Sequence, residues 1–192
     1  YCVDPIISFL TILFMANSQP FHSICICQIL YSHLLPLYRH DKLSFFFSKL
    51  TSLICEIVNN RFTDQLNVIQ YLIKHFPYQN GQKQPLFVSA LIMVTKTING
   101  QRLNPIAGKL FIFTAMAIKS PNSQLAESAL TFITKHNLRP IIFSNYENAM
   151  KNLHEPLKWT SSQHWDKSIR DQAQAALSSL VNAKVEIKKC NI

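Results

Sequence analysis

The sequence predicts an all-α chain in which antiparallel helix pairs stack on one another, an expectation carried by three observations. Glycine is scarce, apolar residues recur at helical spacing, and one order of events (apolar run, proline, polar turn) repeats along the chain. Only Gly81, Gly100 and Gly108 occur in 192 residues, where average usage gives about thirteen. Sandwiches and barrels need glycine-rich turns, and phosphate-cradling loops need several glycines together, so both are disfavoured. Nearly half the residues are apolar, enough to bury a core and to argue against disorder.

The recurrence sets the organisation. Leu34-Leu35-Pro36-Leu37 closes an apolar run, a polar turn follows, and apolar residues resume at Leu43. The same events occur at 71–77, resuming at Leu86, and at 113–121, resuming at Leu125. Pro36, Pro77 and Pro121 mark these breaks. Proline cannot continue a helix, because it lacks the N–H and its ring collides with the preceding turn. A fourth, looser break is expected at Leu157-Lys158-Trp159, with the chain resuming near Trp165. A period of roughly forty residues is that of HEAT and armadillo helix pairs.

Element by element, the run 5–16 is apolar but only about twelve residues long, too short to span a bilayer, and reads as a buried helix over 5–17. It also lacks the basic leader of a signal peptide. Pairs are then expected at 21–38 with 43–58, 63–76 with 84–98, 104–119 with 122–136, and 138–157 with 165–183. Leu50, Leu53, Ile54, Ile57 and Val58 keep the helical spacing, as do Leu66, Ile69, Leu72 and Ile73. So do Leu110, Phe113, Ala117 and Ile118, and finally Ile169, Ala173, Ala176, Leu177 and Leu180. Thr63-Asp64 and Asn122-Ser123 supply helix-start chemistry. The whole of 1–192 reads as a single HEAT-like array, about four pairs plus a leading helix, with 183–192 as a frayed tail. One pair cannot hide its apolar face alone, so neighbours must stack.

Stacking would bring the proline-marked turns to one edge, and that edge is basic. Nineteen Lys and Arg against ten Asp and Glu give a net charge of +9. Nucleic acid, anionic lipid and acidic proteins all suit that balance. Arg39, Lys42, Lys119, His164, Lys167 and Arg170 are the candidate partner contacts, with Lys74, Lys83 and Lys158 nearby. An ordinary solvated rim explains such charges equally well. Around His164-Trp165-Asp166, packing of Trp165 on the preceding helix is preferred to an exposed contact, with Asp166 at the positive end of the last helix.

No catalytic, cofactor or metal residue is assigned. A nucleophile elbow, a zinc-binding His pair with its Glu, and a Walker loop are all missing from the sequence. Cys25 and Cys27 lie two apart on an expected helix, so their thiols point to opposite sides and cannot share one ion. The five cysteines have no framework spacing. Three of them lie in apolar helical runs and read as buried thiols of a reducing compartment. No aromatic–basic interleaving of the kind used for stacking nucleic-acid bases is present.

At the repeat turns the residues resemble a known family. Leu34-Leu35-Pro36-Leu37-Tyr38-Arg39 is similar to the LLPLHK segment of the B′ (B-prime) regulatory subunits of protein phosphatase 2A. Leu72 to Pro77 resembles their LLKYWPK, with Phe76 in place of the Trp. Ser120-Pro121-Asn122-Ser123-Gln124-Leu125-Ala126-Glu127-Ser128-Ala129-Leu130 resembles SSPHFQVAERAL, and His164-Trp165-Asp166-Lys167-Ser168-Ile169 resembles HWNKTI. Order and separations match over roughly 20–183, the C-terminal part of a family member. The resemblance implies a HEAT-like solenoid and a non-catalytic subunit. Such a subunit docks on the phosphatase's scaffold and catalytic subunits and directs dephosphorylation of Ser and Thr in substrate proteins. It implies no cofactor, membrane or nucleic-acid partner, and a cytoplasmic location with the nucleus as a second compartment. The family's groove for short Leu/Ile/Glu-containing motifs would be represented only by 10–23, where its pattern is poorly kept. The alternative is a generic helical-repeat adaptor for protein or nucleic acid.

Overall fold

The computed structural model describes residues 5–8, 11, 23–60, 65–135 and 138–190. The described backbone is helical apart from short turns, and it divides into two compact units, 1–98 and 99–192. Most of the expected leading helix, most of the motif-groove stretch 10–23 and the Thr63-Asp64 start lie outside the described residues.

In the first unit, helix α1 (Ser23–Ile29) runs without a break into a π-helical segment, Leu30–Leu34, and a 3-10 segment, Leu35–Arg39. Pro36 stands in the first positions of the latter, where its missing N–H costs nothing and its fixed φ suits the tight winding. The segment ends where His40 turns extended. Helix α2 (Leu43–Asn59) buries Leu43, Phe46, Leu50, Leu53, Ile54, Ile57 and Val58, one stripe of a 3.6-residue period. Helix α3 (Gln65–Lys74) buries Val68, Ile69 and Leu72. Helix α4 (Gln84–Lys96), opened by Pro85, buries seven residues from Phe87 to Thr95 and packs against both α2 and α3. Tyr38 locks the first pair: its hydroxyl lies 2.9 Å from Thr51 Oγ1, its ring is 5.5 Å from that of Phe87, and it is wholly buried. Burial drives its phenol far above the ordinary range, only partly offset by the Thr51 bond.

The second unit opens with a 3-10 segment, Gly100–Ile106, capped by the Asn99 side chain accepting from the Gln101 N–H at 3.1 Å. Helices α5 (Ala107–Ile118) and α6 (Ser123–Lys135) form a hairpin, followed by α7 (Leu138–Ser144), α8 (Tyr146–Gln163) and α9 (Lys167–Cys190). α5 packs on α6 and α8, while α9 packs on α8 and α6, so successive pairs stack in two layers. α5 is therefore covered from two sides. It buries Phe111, Thr114 and Ala115 beyond the expected face, leaving Ile112 out at 60% exposure.

Four expectations need correction. The helix expected at 138–157 breaks at Asn145, whose amide donates to Asn104 Oδ1 (2.9 Å) and to the Ile141 carbonyl (3.2 Å). The fourth turn is not at Leu157-Lys158-Trp159. α8 accommodates Pro156 within it and continues to Gln163, and the chain turns at His164. The last helix stays helical to Cys190, beyond the expected 183. Two of the described cysteines, Cys27 and Cys55, are half-buried rather than buried. No described helix is long and apolar enough to cross a membrane.

The repeat appears directly in the hydrogen bonds. Thr160 Oγ1 donates to the Ile118 carbonyl 42 residues away, and Trp165 Nε1 to the Pro121 carbonyl 44 away. In the other unit, Lys83 Nζ reaches the Arg39 carbonyl, also 44 away. In a stack, equivalent positions of consecutive repeats are neighbours, so sequence separations of contacts collect at the period.

Candidate functional site

Each unit presents a turn edge built by its inter-repeat contacts. In the second unit, the turns 119–122 and 164–166 are laced together. Asn122 Oδ1 accepts from Gln124 N and Leu125 N at the start of α6. Asp166 Oδ1 accepts from Ser168 N at 2.8 Å at the start of α9, as its position in the sequence suggests. His164 is 3% exposed. Its Nε2 faces the Ser120 carbonyl at 3.2 Å, and its Nδ1 accepts the Asp166 N–H at 3.1 Å. These two bonds together require the neutral Nε2–H tautomer. Arg170 Nη1 donates to the carbonyls of His164 (2.7 Å) and Trp165 (3.0 Å).

Trp165 belongs to this lacing yet keeps its ring in solvent. It is 68% exposed, stacked on His164 with ring centres 5.7 Å apart, and held in place by its indole N–H on Pro121. The packing expected for it on the preceding helix is therefore overturned. Trp159, 44% exposed, carries the Lys119 ammonium 5.5 Å above its ring. Trp159, Lys119, Trp165 and the exposed Lys167 thus make an aromatic and cationic corner of the kind that anchors protein interfaces.

In the first unit the turn residues Arg39 and Lys42 are exposed. Arg39, His75, Phe76, Pro77, Asn80, Lys83 and Phe87 line a cavity of about 340 Å³. Lys83, with only 11% of its side chain exposed, bonds the Arg39 carbonyl and Asp41 Oδ1, each at 3.0 Å. That partner holds the Asp41 carboxyl below its usual range.

Of the six candidates, Arg39, Lys42, Lys119 and Lys167 are exposed at turn edges, Arg170 is half-buried against carbonyls, and His164 is internal. His164 serves the fold rather than presenting its ring. The two tryptophans are what residue-type reasoning ranked too low. The signal was available: the 44-residue offset from Pro121 places Trp165 at the equivalent turn, and the 40-residue offset from Lys119 places Trp159 in the last turns of the helix before it. Among the described residues no group of three His, Cys, Asp or Glu side chains is placed to hold a metal ion.

Comparison with known proteins decides the family. The profile of the protein phosphatase 2A regulatory B subunit (B56 family) matches residues 1–191. The chain belongs to this family. B56-family relatives include the B′ kappa isoform of the 57 kDa regulatory subunit from rice (Oryza sativa subsp. japonica), 26% identical over 71% of this chain and 27% of the relative. The beta isoform of the human 56 kDa regulatory subunit is 27% identical over 74% of this chain and 29% of its own length. The regulatory subunit psrA of Dictyostelium discoideum is 22% identical over 83% and 26%. The chain thus spans under a third of the length of these relatives.

Proposed function

We propose that this chain acts within a non-catalytic regulatory subunit of the protein phosphatase 2A heterotrimer, docking on the scaffold and catalytic subunits and directing Ser/Thr dephosphorylation of substrate proteins. The family match over 1–191 carries the reading. The corner of Trp159, Lys119, Trp165 and Lys167 supplies docking chemistry, since exposed tryptophans are among the few residue types that carry most of the binding energy at protein interfaces. Such a subunit contributes surface and leaves chemistry to its catalytic partner. Affinity purification of the tagged native protein tests this: scaffold and catalytic subunits are expected to co-purify. Trp165→Ala with Lys119→Gln should lower their recovery by about tenfold, the effect of losing one anchor. Repeated recovery of neither subunit overturns the proposal. A nucleic-acid adaptor would instead bind mixed-sequence RNA with an affinity falling steeply as salt rises. The same reading assigns the protein to the cytoplasm, with the nucleus as a second compartment, which imaging of the tagged chain checks.

A further inference from the structure

We propose that the cavity between Arg39, His75, Asn80 and Lys83 is a binding site for a phosphate monoester, presented on a serine or threonine side chain of a protein partner. The site is distinct from the tryptophan corner and does not depend on it. Its lining combines apolar Phe76, Pro77 and Phe87 with the cations Arg39 and Lys83, and no carboxylate is among the lining residues. Arg39 is exposed, with no hydrogen bond or ion pair from its guanidinium to another described residue. Asn80 uses its Oδ1 to accept the Lys83 N–H at 3.2 Å, which leaves its Nδ2 to donate. Lys83 is already oriented by the Arg39 carbonyl and by Asp41, whose carboxylate is almost fully exposed and exchanges readily for a stronger anion.

Why a phosphate monoester rather than another anion? Arg39, His75, Asn80 and Lys83 line one bounded cavity instead of following a track, which suits a terminal group better than a polynucleotide backbone. A guanidinium fork matches phosphate oxygens bidentately, and an ammonium adds a point charge. About 340 Å³ exceeds what a bare carboxylate fills, leaving room for the methylene and backbone of the bearing residue against Phe76 and Pro77.

His75 reports occupancy. Its ring stacks on Tyr71 with centres 4.2 Å apart, and its pKa is lowered by partial burial and then by the charges of Arg39 and Lys74. Lys83 lines the same cavity. A dianion seated there offsets those positive charges, so binding raises the His75 pKa, and by linkage affinity increases as the pH falls through the His75 titration. The monoester's own second ionisation, near pH 6, limits that gain.

The test uses the 192-residue chain with four probes: a glycine-flanked phosphoserine peptide, its serine and aspartate counterparts, and a deoxythymidine oligonucleotide. Histidine ring resonances are followed by NMR alongside calorimetry. The phosphopeptide is expected to saturate and to move the His75 signals. Arg39→Gln is expected to weaken it about tenfold or more, and Lys109→Gln in the other unit to leave it unchanged. Equal binding of the aspartate peptide overturns the phosphate assignment in favour of a carboxylate site. Equal competition by the oligonucleotide overturns it in favour of nucleic acid. A phosphopeptide that fails to saturate, leaves His75 unmoved or ignores Arg39→Gln overturns the site itself.

Discussion

Replacing His164 by Phe separates a structural role from a contact role at a position where the two lead to different outcomes. The ring is 3% exposed and joins consecutive repeats through Ser120 O and Asp166 N. Phenylalanine refills the volume and removes both hydrogen bonds. A typical bond contributes about 1 kcal/mol net. Ser120 and Asp166 are only partly buried, so water recovers some of this. The expected loss is about 1–2 kcal/mol, which for a chain of this size is a Tm lower by about 3–6 °C. His164→Gln, whose Nε2 can still donate to Ser120, should recover about half of that. His164→Ala, which also leaves a cavity, should cost about 3–4 kcal/mol. Thermal unfolding followed by circular dichroism at 222 nm reads all three, with Lys167→Gln as an exposed control. If His164→Phe melts within about 1 °C of the parent, the internal role is wrong and the residue is free to serve partners.

Further outcomes follow from the same contacts. Tyr38→Phe leaves the Thr51 hydroxyl unpaired in a dry core and should cost about 1–3 kcal/mol; Tyr38→Phe with Thr51→Val should cost clearly less than the two singles added, as urea unfolding will show. Phe111→Ala should cost about 3–5 kcal/mol while its neighbour Ile112→Ala stays within about 0.5, so similar losses at both would refute the helix register. Burial pushes the Cys55 thiol up to about 11, so its alkylation at pH 7.5 should be slow and should rise about tenfold per pH unit, by peptide mass mapping. The stabilisation linked to that raised pKa is complete below pH 9 and is lost as the pH climbs toward about 11.

Much of the fold was legible because proline and amphipathic spacing are local signals with direct structural consequences. Pro77 and Pro121 lie at real breaks, Pro36 sits inside a 3-10 segment that turns four residues later at His40, and α2 buries the stripe its sequence displays. The failures were failures of tertiary context. A stop was expected at Leu157-Lys158-Trp159, yet α8 carries Pro156 within it and continues to Gln163. Asn145 breaks the chain with neither proline nor glycine beside it, because its amide finds Asn104 in the preceding repeat, a partner 41 residues away. α5 lacks a clear polar face because helices cover it on two sides. At the candidate site, Arg39, Lys42, Lys119 and Lys167 are exposed at or beside turns, whereas Arg170 lies within α9 and donates to carbonyls. Trp165 and His164 exchanged expected roles, because hydrogen bonds to Pro121 and Ser120, and not residue type, decide which ring faces solvent.

The account depends on consecutive helix pairs lying in register at one period. Trp165 Nε1 and the Pro121 carbonyl, 2.8 Å apart and 44 residues distant in sequence, test this directly. A long-range NMR experiment that detects scalar coupling across hydrogen bonds should connect the Trp165 indole nitrogen to the Pro121 carbonyl carbon, with slowed exchange of the indole proton. An indole proton that exchanges like that of free tryptophan, with no coupling to Pro121, would contradict the stacking and everything built on it.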